Sequence, residues 1–327
     1  MVIGIAGLGA LGGLFAGSLA HAGEAVRVYS RRAPAGISRR LIVREERSEV
    51  YSSSVEWSSD PRILEGAYAV LVCAKAYDGP QVALALKEVA SCGPVVSLMN
   101  GVEAAPSLAA VLGAWRVWAG CTRAAAQMSG DGSIRVAGRG RTVFGPLEAA
   151  GSDTGRGNPD AAPLGQALAA TLSAAGLPSS FVPDPMPALW EKACLNAALN
   201  PVAALFGLAN GQVLKDGNAL SLSLRALEDA WLVARAHGIA LGRDALERSF
   251  RSLCRESADN ECSMLRDLIR GVPIELDDLV GAFIAMAGRH SLSVPTLRYL
   301  YDALGKDACP AAAGAFRRSR YGPSRSP

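Results

Sequence analysis

The chain has 327 residues, 50% of them hydrophobic and 19% charged, with a formal net charge of +3. That length accommodates two domains that each bury a core, and the small, scattered charge gives no footing for nucleic acid. The seven cysteines (Cys73, Cys92, Cys121, Cys194, Cys254, Cys262 and Cys309) are odd in number and form no C-x-x-C pair, so neither a disulfide framework nor a zinc or other metal site is expected, and a reducing cytoplasm suits them.

Residues 1–20 are apolar, but they lack a basic leader, and Gly4, Gly7, Gly9, Gly12, Gly13 and Gly17 interrupt any signal-like core. No membrane association is expected, since no apolar run is long enough to span a bilayer. Val2 to Ala6 reads as a strand, Ala10 to Ala22 as a helix and Ala25 to Tyr29 as a second strand. Ala69 to Ala74 and Val95 to Met99 read as further buried strands, each followed by a helix-like segment. Such alternation demands crossovers and a parallel sheet, hence an α/β first domain. Between Arg116 and Gly145 the pattern becomes short strands with Gly-rich turns, a mixed edge of the same sheet. Residues 146–160, rich in Gly, Asp and Pro, read as a surface loop.

Pro183, Pro185 and Pro187 mark a change of character, after which apolar residues recur at helical spacing and give about six helices to residue 305. The expected division is therefore 1–183, a dinucleotide-binding α/β domain; 184–305, a helical domain; and 306–327, a disordered tail. Arg317, Arg318, Arg320 and Arg325 of that tail are interleaved with Pro, Gly and Ser.

Gly7-Leu8-Gly9-Ala10-Leu11-Gly12 follows a strand and opens a helix, the setting in which G-x-G-x-x-G is informative. Gly7 allows the tight turn, Gly9 lets a pyrophosphate approach the backbone, and Gly12 lets the helix pack closely; the free N–H groups of the helix start face the phosphates. The end of the second strand carries Ser30-Arg31-Arg32, with no acid beside them to accept from a ribose 2′-hydroxyl. Guanidinium groups there attract a 2′-phosphate, so NADP is expected over NAD.

None of the three histidines, His21, His237 and His290, has a Ser or Cys partner in a recognisable motif, and helix-end packing accounts for each. The segment from Leu189 to Pro201 carries more information. Lys192, Asn196 and Asn200 recur every four residues and share one helical face, while the intervening turns are apolar. Such a stripe is either solvent-facing or the lining of a polar cleft. Pro201 is expected to bend or break the helix and open space beside Asn200.

The combination of G-x-G-A-L-G with W-x-K-x-x-x-N-x-x-x-N-P resembles the ketopantoate reductases. Further segments match in order: Val72-Cys73-Ala74-Lys75, Met99-Asn100-Gly101, Asn210-Gly211, Asn260-Glu261-Cys262-Ser263-Met264, and Pro273-Ile274-Glu275-Leu276-Asp277. The resemblance runs from residue 1 to about 305. It implies a Rossmann-type doubly wound N-terminal domain, an all-α C-terminal domain like that of 6-phosphogluconate dehydrogenase, and an active site in the cleft between them. The implied reaction is reduction of a small 2-oxo acid by NADPH. Lys192 would be the general acid and alkoxide stabiliser, a role that suits an ammonium protonated at neutral pH. Asn196, Asn200 and Asn210 would orient the substrate, and Ser263 with the Asn260 turn would hold its carboxylate. Glu275 would contact the nicotinamide ribose and position the ammonium. Gly7 to Gly12, Arg31, Lys75, Asn100 and Ala126 would line the cofactor.

Several positions depart from the family pattern. Cys262 replaces a usual serine, Val280 stands before Gly281 where asparagine is common, and Arg135 to Gly138 lacks a frequent histidine. The 146–160 loop and the basic tail are additions. These departures bear on the substrate. Three readings therefore stay open: ketopantoate reduction for pantothenate and coenzyme A synthesis, reduction of another 2-oxo acid or an imine in specialised metabolism, and a non-catalytic NADP-binding redox sensor. Intact Lys192, Asn196, Asn200, Ser263 and Glu275 argue against the last. A homodimer fits helical second domains of this kind.

Overall fold

A computed structural model describes residues 1–33, 37–45, 48–89, 92–147 and 161–307. The chain forms two compact units, Met1–Leu189 and Trp190 onward. All but the first two residues of the expected 146–160 loop, and of the expected tail from 306, lie outside the described residues.

The described residues of the first unit form nine strands: β1 Val2–Ala6, β2 Ala25–Tyr29, β3 Ile37–Glu45, β4 Ser48–Ser58, β5 Ala69–Val72, β6 Val95–Ser97, β7 Val117–Met128, β8 Ile134–Pro146 and β9 Ser179–Phe181. Their order is β3-β4-β2-β1-β5-β6-β7-β8-β9, and the central pairs β2–β1, β1–β5, β5–β6 and β6–β7 are parallel. Four α-helices accompany them among the described residues: α1 Ala10–His21, α2 Gly79–Lys87, α3 Ala104–Leu112 and α4 Ala161–Ala174. The strands read as unbroken apolar runs because both faces are covered. Ile3, Ile5, Leu71, Val96 and Trp118 face one core with residues of α1 and α4, while Ala6, Val70, Val72, Val95 and Ala119 face another with α2 and α3. This is a doubly wound sheet.

Several features escaped the sequence reading, α4 and β9 among them. The segment between β2 and β5 contains the antiparallel hairpin β3–β4, and the expected short strands at 116–145 are instead two long ones, β7 and β8, paired from Trp118–Pro146 to Met128–Ile134. β3 also pairs in parallel with β8 through Val43–Ile134, Arg44–Arg135 and Glu45–Val136, so the sheet closes on itself. α1 packs against β2, β3, β4, β7 and β8 of that closed sheet. Its extra glycines follow: a Cβ on Gly13 would lie 2.6 Å from Ile134, and one on Gly17 would lie 2.6 Å from Val43.

Arg139 of β8 ties the seam. Its guanidinium donates to Glu45 of β3 (2.5 Å), to the Tyr51 hydroxyl of β4 (3.0 Å), to the Gly176 carbonyl (2.9 Å) and to Ser18 of α1 (3.3 Å). Replacing it removes a charge-assisted hub from a partly buried seam. Arg139→Ala is expected to cost about 2 kcal/mol of stability, read as a lower urea midpoint; a loss below about 0.5 kcal/mol would show the seam to be held by strand pairing alone.

The second unit is helical: α5 Met186–Phe206, which begins in the first unit, then α6 Asn210–Val213, α7 Gly217–Ala236, α8 Arg243–Glu256, α9 Ser263–Arg270, α10 Ala282–Arg289 and α11 Pro295–Asp307, with a π-helical turn at Asp277–Gly281. The described residues thus hold seven α-helices here rather than six. Buried Asp229 of α7 accepts from the backbone N–H groups of Thr296 and Leu297, capping the start of α11. His237 and His290 cap the C-terminal ends of α7 and α10, their rings 4.5 Å apart, and Trp190 packs on His237 and Phe283. His21 ends α1 and stacks on Tyr51.

Of the expected bend or break at Pro201, the break does not occur. α5 runs through it without a break, and Asn200 beside it is buried, 5% exposed, rather than opened to space. Proline forfeits only its own N–H bond to the carbonyl four residues back, and Val202, Ala203 and Ala204 are fully buried beyond it, so packing holds the helix together. No helix among the described residues is long and apolar enough to cross a membrane.

Candidate functional site

In the first unit the implied cofactor residues gather at the carboxyl edge of the parallel strands, where doubly wound sheets bind ligands. The three motif glycines differ in what surrounds them. Gly7, after β1, has φ +101° and donates its N–H to Tyr29 O (2.9 Å); a Cβ there would lie 2.9 Å from the Ala74 nitrogen. Gly12 faces the turn itself, and a Cβ would sit 2.0 Å from the Gly7 oxygen. Gly9, the residue before α1, is exposed and has nothing within 4 Å of its would-be Cβ. The start of α1 has no side-chain cap and no acid in its first turn, leaving its N–H groups and positive dipole end for an anion. Leu8, Ala10 and Leu11 are partly exposed around it. A glycine cradle open at Gly9 and closed at Gly7 and Gly12 fits a dinucleotide pyrophosphate.

Lys75 follows β5 and starts a tight turn whose carbonyl accepts from Asp78 N–H (3.0 Å). Asn100 follows β6 beside Gly101, whose φ is +90°. Ala126 lies on β7 well past the residues that pair with β6, at a register shift between Ala125 and Ala126. Arg31, after β2, is half-exposed and ion-paired with Asp78, a partner from another strand end that sequence order hides. Arg32 is exposed.

In the second unit Lys192 and Asn196 are partly exposed on α5, and Asn200, two turns on from Lys192, is buried. The stripe therefore leads into the protein rather than along its surface. It meets the turn before α9, where the Cys262 thiol donates to the Asn200 carbonyl (S···O 3.6 Å) and caps α9 by accepting from Leu265 N–H (3.4 Å). Ser263 is the first residue of α9. Asn210 is 7% exposed, and its backbone N–H donates to the Asn260 carbonyl (2.9 Å). Its side-chain amide donates to the Ser257 hydroxyl (2.9 Å), which itself donates to Leu253 O (2.6 Å). The remaining oxygen, Asn210 Oδ1, is buried and has no hydrogen-bond partner among the described residues. Gly211 allows this approach, since a Cβ there would lie 2.6 Å from the Ala258 Cβ. Asn200, Asn210, Asn260 and Ser263 thus belong to one neighbourhood. Ser257, which orients Asn210, carried no signal in the sequence.

Glu275 is buried, 3% exposed, and its carbonyl accepts from Leu279 N–H at the π-turn. Burial, then the charges of Glu275 and Asp277, push the Asp278 carboxyl up to about 6. Its folded value lies above the ordinary 3.8, so native Asp278 holds a proton between about pH 4 and 6 that the unfolded chain has lost. The contribution of this one carboxyl is therefore fully present below about pH 4 and is lost as pH rises through 6. Because Asp278 is only partly buried, solvent screening reduces the penalty to about 1 kcal/mol. Asp278→Asn is expected to raise the melting temperature by about 3 °C at pH 8 and by almost nothing at pH 4. An equal shift at both pH values would exclude titration as the cause. Burial also pushes Cys73, Cys194 and Cys262 up to about 12, and Cys254 to about 11, so these are packing thiols and not nucleophiles.

A strand–glycine turn–helix cradle at a switch point, with an N-terminal doubly wound unit followed by a helical unit carrying lysine and amides, defines a nicotinamide-dependent oxidoreductase. Residues 3–149 match the family model "Ketopantoate reductase PanE/ApbA", and residues 184–307 match "Ketopantoate reductase PanE/ApbA C terminal". The chain belongs to the ketopantoate reductase family. It is similar to the 2-dehydropantoate 2-reductase of Halobacterium salinarum, at 30% identity over 92% of this chain and 97% of that one. Its fold is similar to the crystal structure of a PanE/ApbA family ketopantoate reductase from Ralstonia eutropha JMP134 (TM-score 0.80, 30% identity, 96% of this chain and 100% of that one). A D-mandelate dehydrogenase solved with NADH and anilino(oxo)acetate shares the fold at 19% identity (TM-score 0.82, 97% of this chain and 100% of that one).

Proposed function

We propose that this chain reduces 2-dehydropantoate to pantoate with NADPH, a step toward pantothenate and coenzyme A in the cytoplasm. The observation that supports this reading is the α5 stripe of Lys192, Asn196 and Asn200 leading to the Asn260–Ser263 turn, whose buried Cys262 bonds the Asn200 carbonyl and whose Asn260 carbonyl accepts from Asn210 N–H. Bound NADPH would supply the hydride. The chain supplies everything that makes the ketone ready to accept it.

Lys192 holds a positive charge toward the carbonyl oxygen and gives a proton as negative charge develops there. Asn196 and Asn200 present amides that fix the carbonyl and hydroxyl groups, and the free acceptor Oδ1 of Asn210 selects a hydroxyl donor over a second carboxylate. Ser263 and the backbone N–H groups opening α9 take the carboxylate, with Asn260 shaping the turn. Glu275 orients the ammonium and the nicotinamide ribose. Gly7, Leu8, Gly9, Ala10, Leu11 and Gly12 cradle the pyrophosphate; Arg31, with Arg32, meets the 2′-phosphate; Lys75, Asn100 and Ala126 flank the dinucleotide.

Another 2-oxo acid is the second reading, and one observation favours it. Cys262, a thiol where a hydroxyl would bond more strongly, caps the helix at the carboxylate turn. The test is NADPH consumption, followed by absorbance, with ketopantoate against a panel of 2-oxo acids and cyclic imines. Preference for ketopantoate supports the first reading and turnover only of another member replaces it. Tight dinucleotide binding without any turnover would make the chain a sensor.

A further inference from the structure

The end of β2 carries no acid of its own, and the fold brings one to it. Asp78, in the turn after β5, pairs its Oδ1 with Nη2 of Arg31. We infer that Asp78 is a cofactor-specificity residue that opposes the adenosine 2′-phosphate and moderates the NADPH preference set by Arg31 and Arg32. This rests on the dinucleotide reading of the site.

Three observations support it. The Asp78 carboxylate makes no cap to α2, although the residue stands directly before that helix, so its bond to Arg31 is not a by-product of capping. Asp78 is the less exposed of the pair and is anchored through its N–H to Lys75 O, whereas Arg31 is half-exposed at the end of a long flexible side chain. Arg31 can therefore swing toward a ligand while the carboxylate stays. Lastly, the two residues follow the ends of β2 and β5, the strands that flank β1, where the adenosine end of a dinucleotide lies in doubly wound sheets.

The electrostatic consequence has a definite sign. A phosphate that forks onto a guanidinium competes for the N–H already given to Asp78, and its two charges then lie within a few ångströms of a carboxylate. A ribose 2′-hydroxyl meets no such opposition, because a carboxylate accepts its proton, which is the part an acid at the strand end plays in NAD sites. Asp78 thus supplies in space what residues 30–32 lack in sequence.

The test is dissociation constants of NADPH and NADH for the full chain, by isothermal titration calorimetry, in the wild type, Asp78→Asn and Asp78→Ser. Since the side chain makes no cap bond to α2, both variants should fold, and thermal melts verify this. The NADH-to-NADPH ratio of dissociation constants is expected to rise by about fivefold or more in each variant, chiefly through tighter NADPH binding. An unchanged ratio, or weaker NADPH binding as expected if Asp78 merely holds Arg31 in place for the phosphate, overturns the inference alone. A wild type that binds neither dinucleotide overturns the cofactor reading as well.

Discussion

Lys192→Ala is expected to lower kcat on the preferred 2-oxo acid by about three orders of magnitude while dinucleotide affinity stays within about threefold. The reason is local. Lys192 lies on α5 at the partly exposed start of the polar stripe, whereas the dinucleotide cradle is formed by β1, the Gly7–Gly12 turn and the start of α1. Loss of the ammonium removes both the proton and the fixed positive charge at the developing alkoxide, and water replaces neither with the same orientation. Lys192→Arg keeps the charge but surrenders its proton far less readily, so it should recover only a small part of the rate. Single-turnover kinetics with saturating dinucleotide would check this. A rate near that of the wild type would move the acid to another residue.

The second large effect separates two glycines that a motif treats alike. Gly12→Ala forces a methyl to within 2.0 Å of the Gly7 backbone oxygen, which has no flexible side chain to yield, and is expected to cost about 3 kcal/mol or prevent folding. Gly9→Ala meets no protein atom within 4 Å and should keep stability within about 1 kcal/mol. The space it fills is the one proposed for the pyrophosphate, so dinucleotide affinity should fall at least about tenfold. Thermal melts paired with calorimetric titration distinguish the two. Undiminished dinucleotide binding by Gly9→Ala would remove the phosphate from this cradle.

Much of the dinucleotide-binding core was legible because its signals are local. β1, α1 and β2 follow from a short apolar run, a glycine turn and a helical stretch in succession, with strand limits at Val2–Ala6 and Ala25–Tyr29. The hairpin of β3 and β4 was not, since Ser48 to Ser58 mixes Ser, Glu and aromatic residues and draws its stability from partners distant in the chain. In the helical unit the stripe of Lys192, Asn196 and Asn200 could be read from spacing. Whether it faced solvent could not, because that depends on what packs beyond Asn200, which is Cys262, far along the chain. Pro201 misled for a related reason: its intrinsic cost is real, and surrounding burial exceeds it.

Taken alone, the order of residues fixed the class of fold, the glycine cradle and the polar face of α5, because each depends on neighbours within one or two turns of chain. Closure of the sheet through β3 and β8, the need for Gly13 and Gly17, the hold of Ser257 on Asn210 and the pairing of Arg31 with Asp78 were decided only in three dimensions. Each joins groups that are far apart along the backbone. Periodicity carries no record of such meetings, and packing, charge and hydrogen bonding set them once the chain has folded.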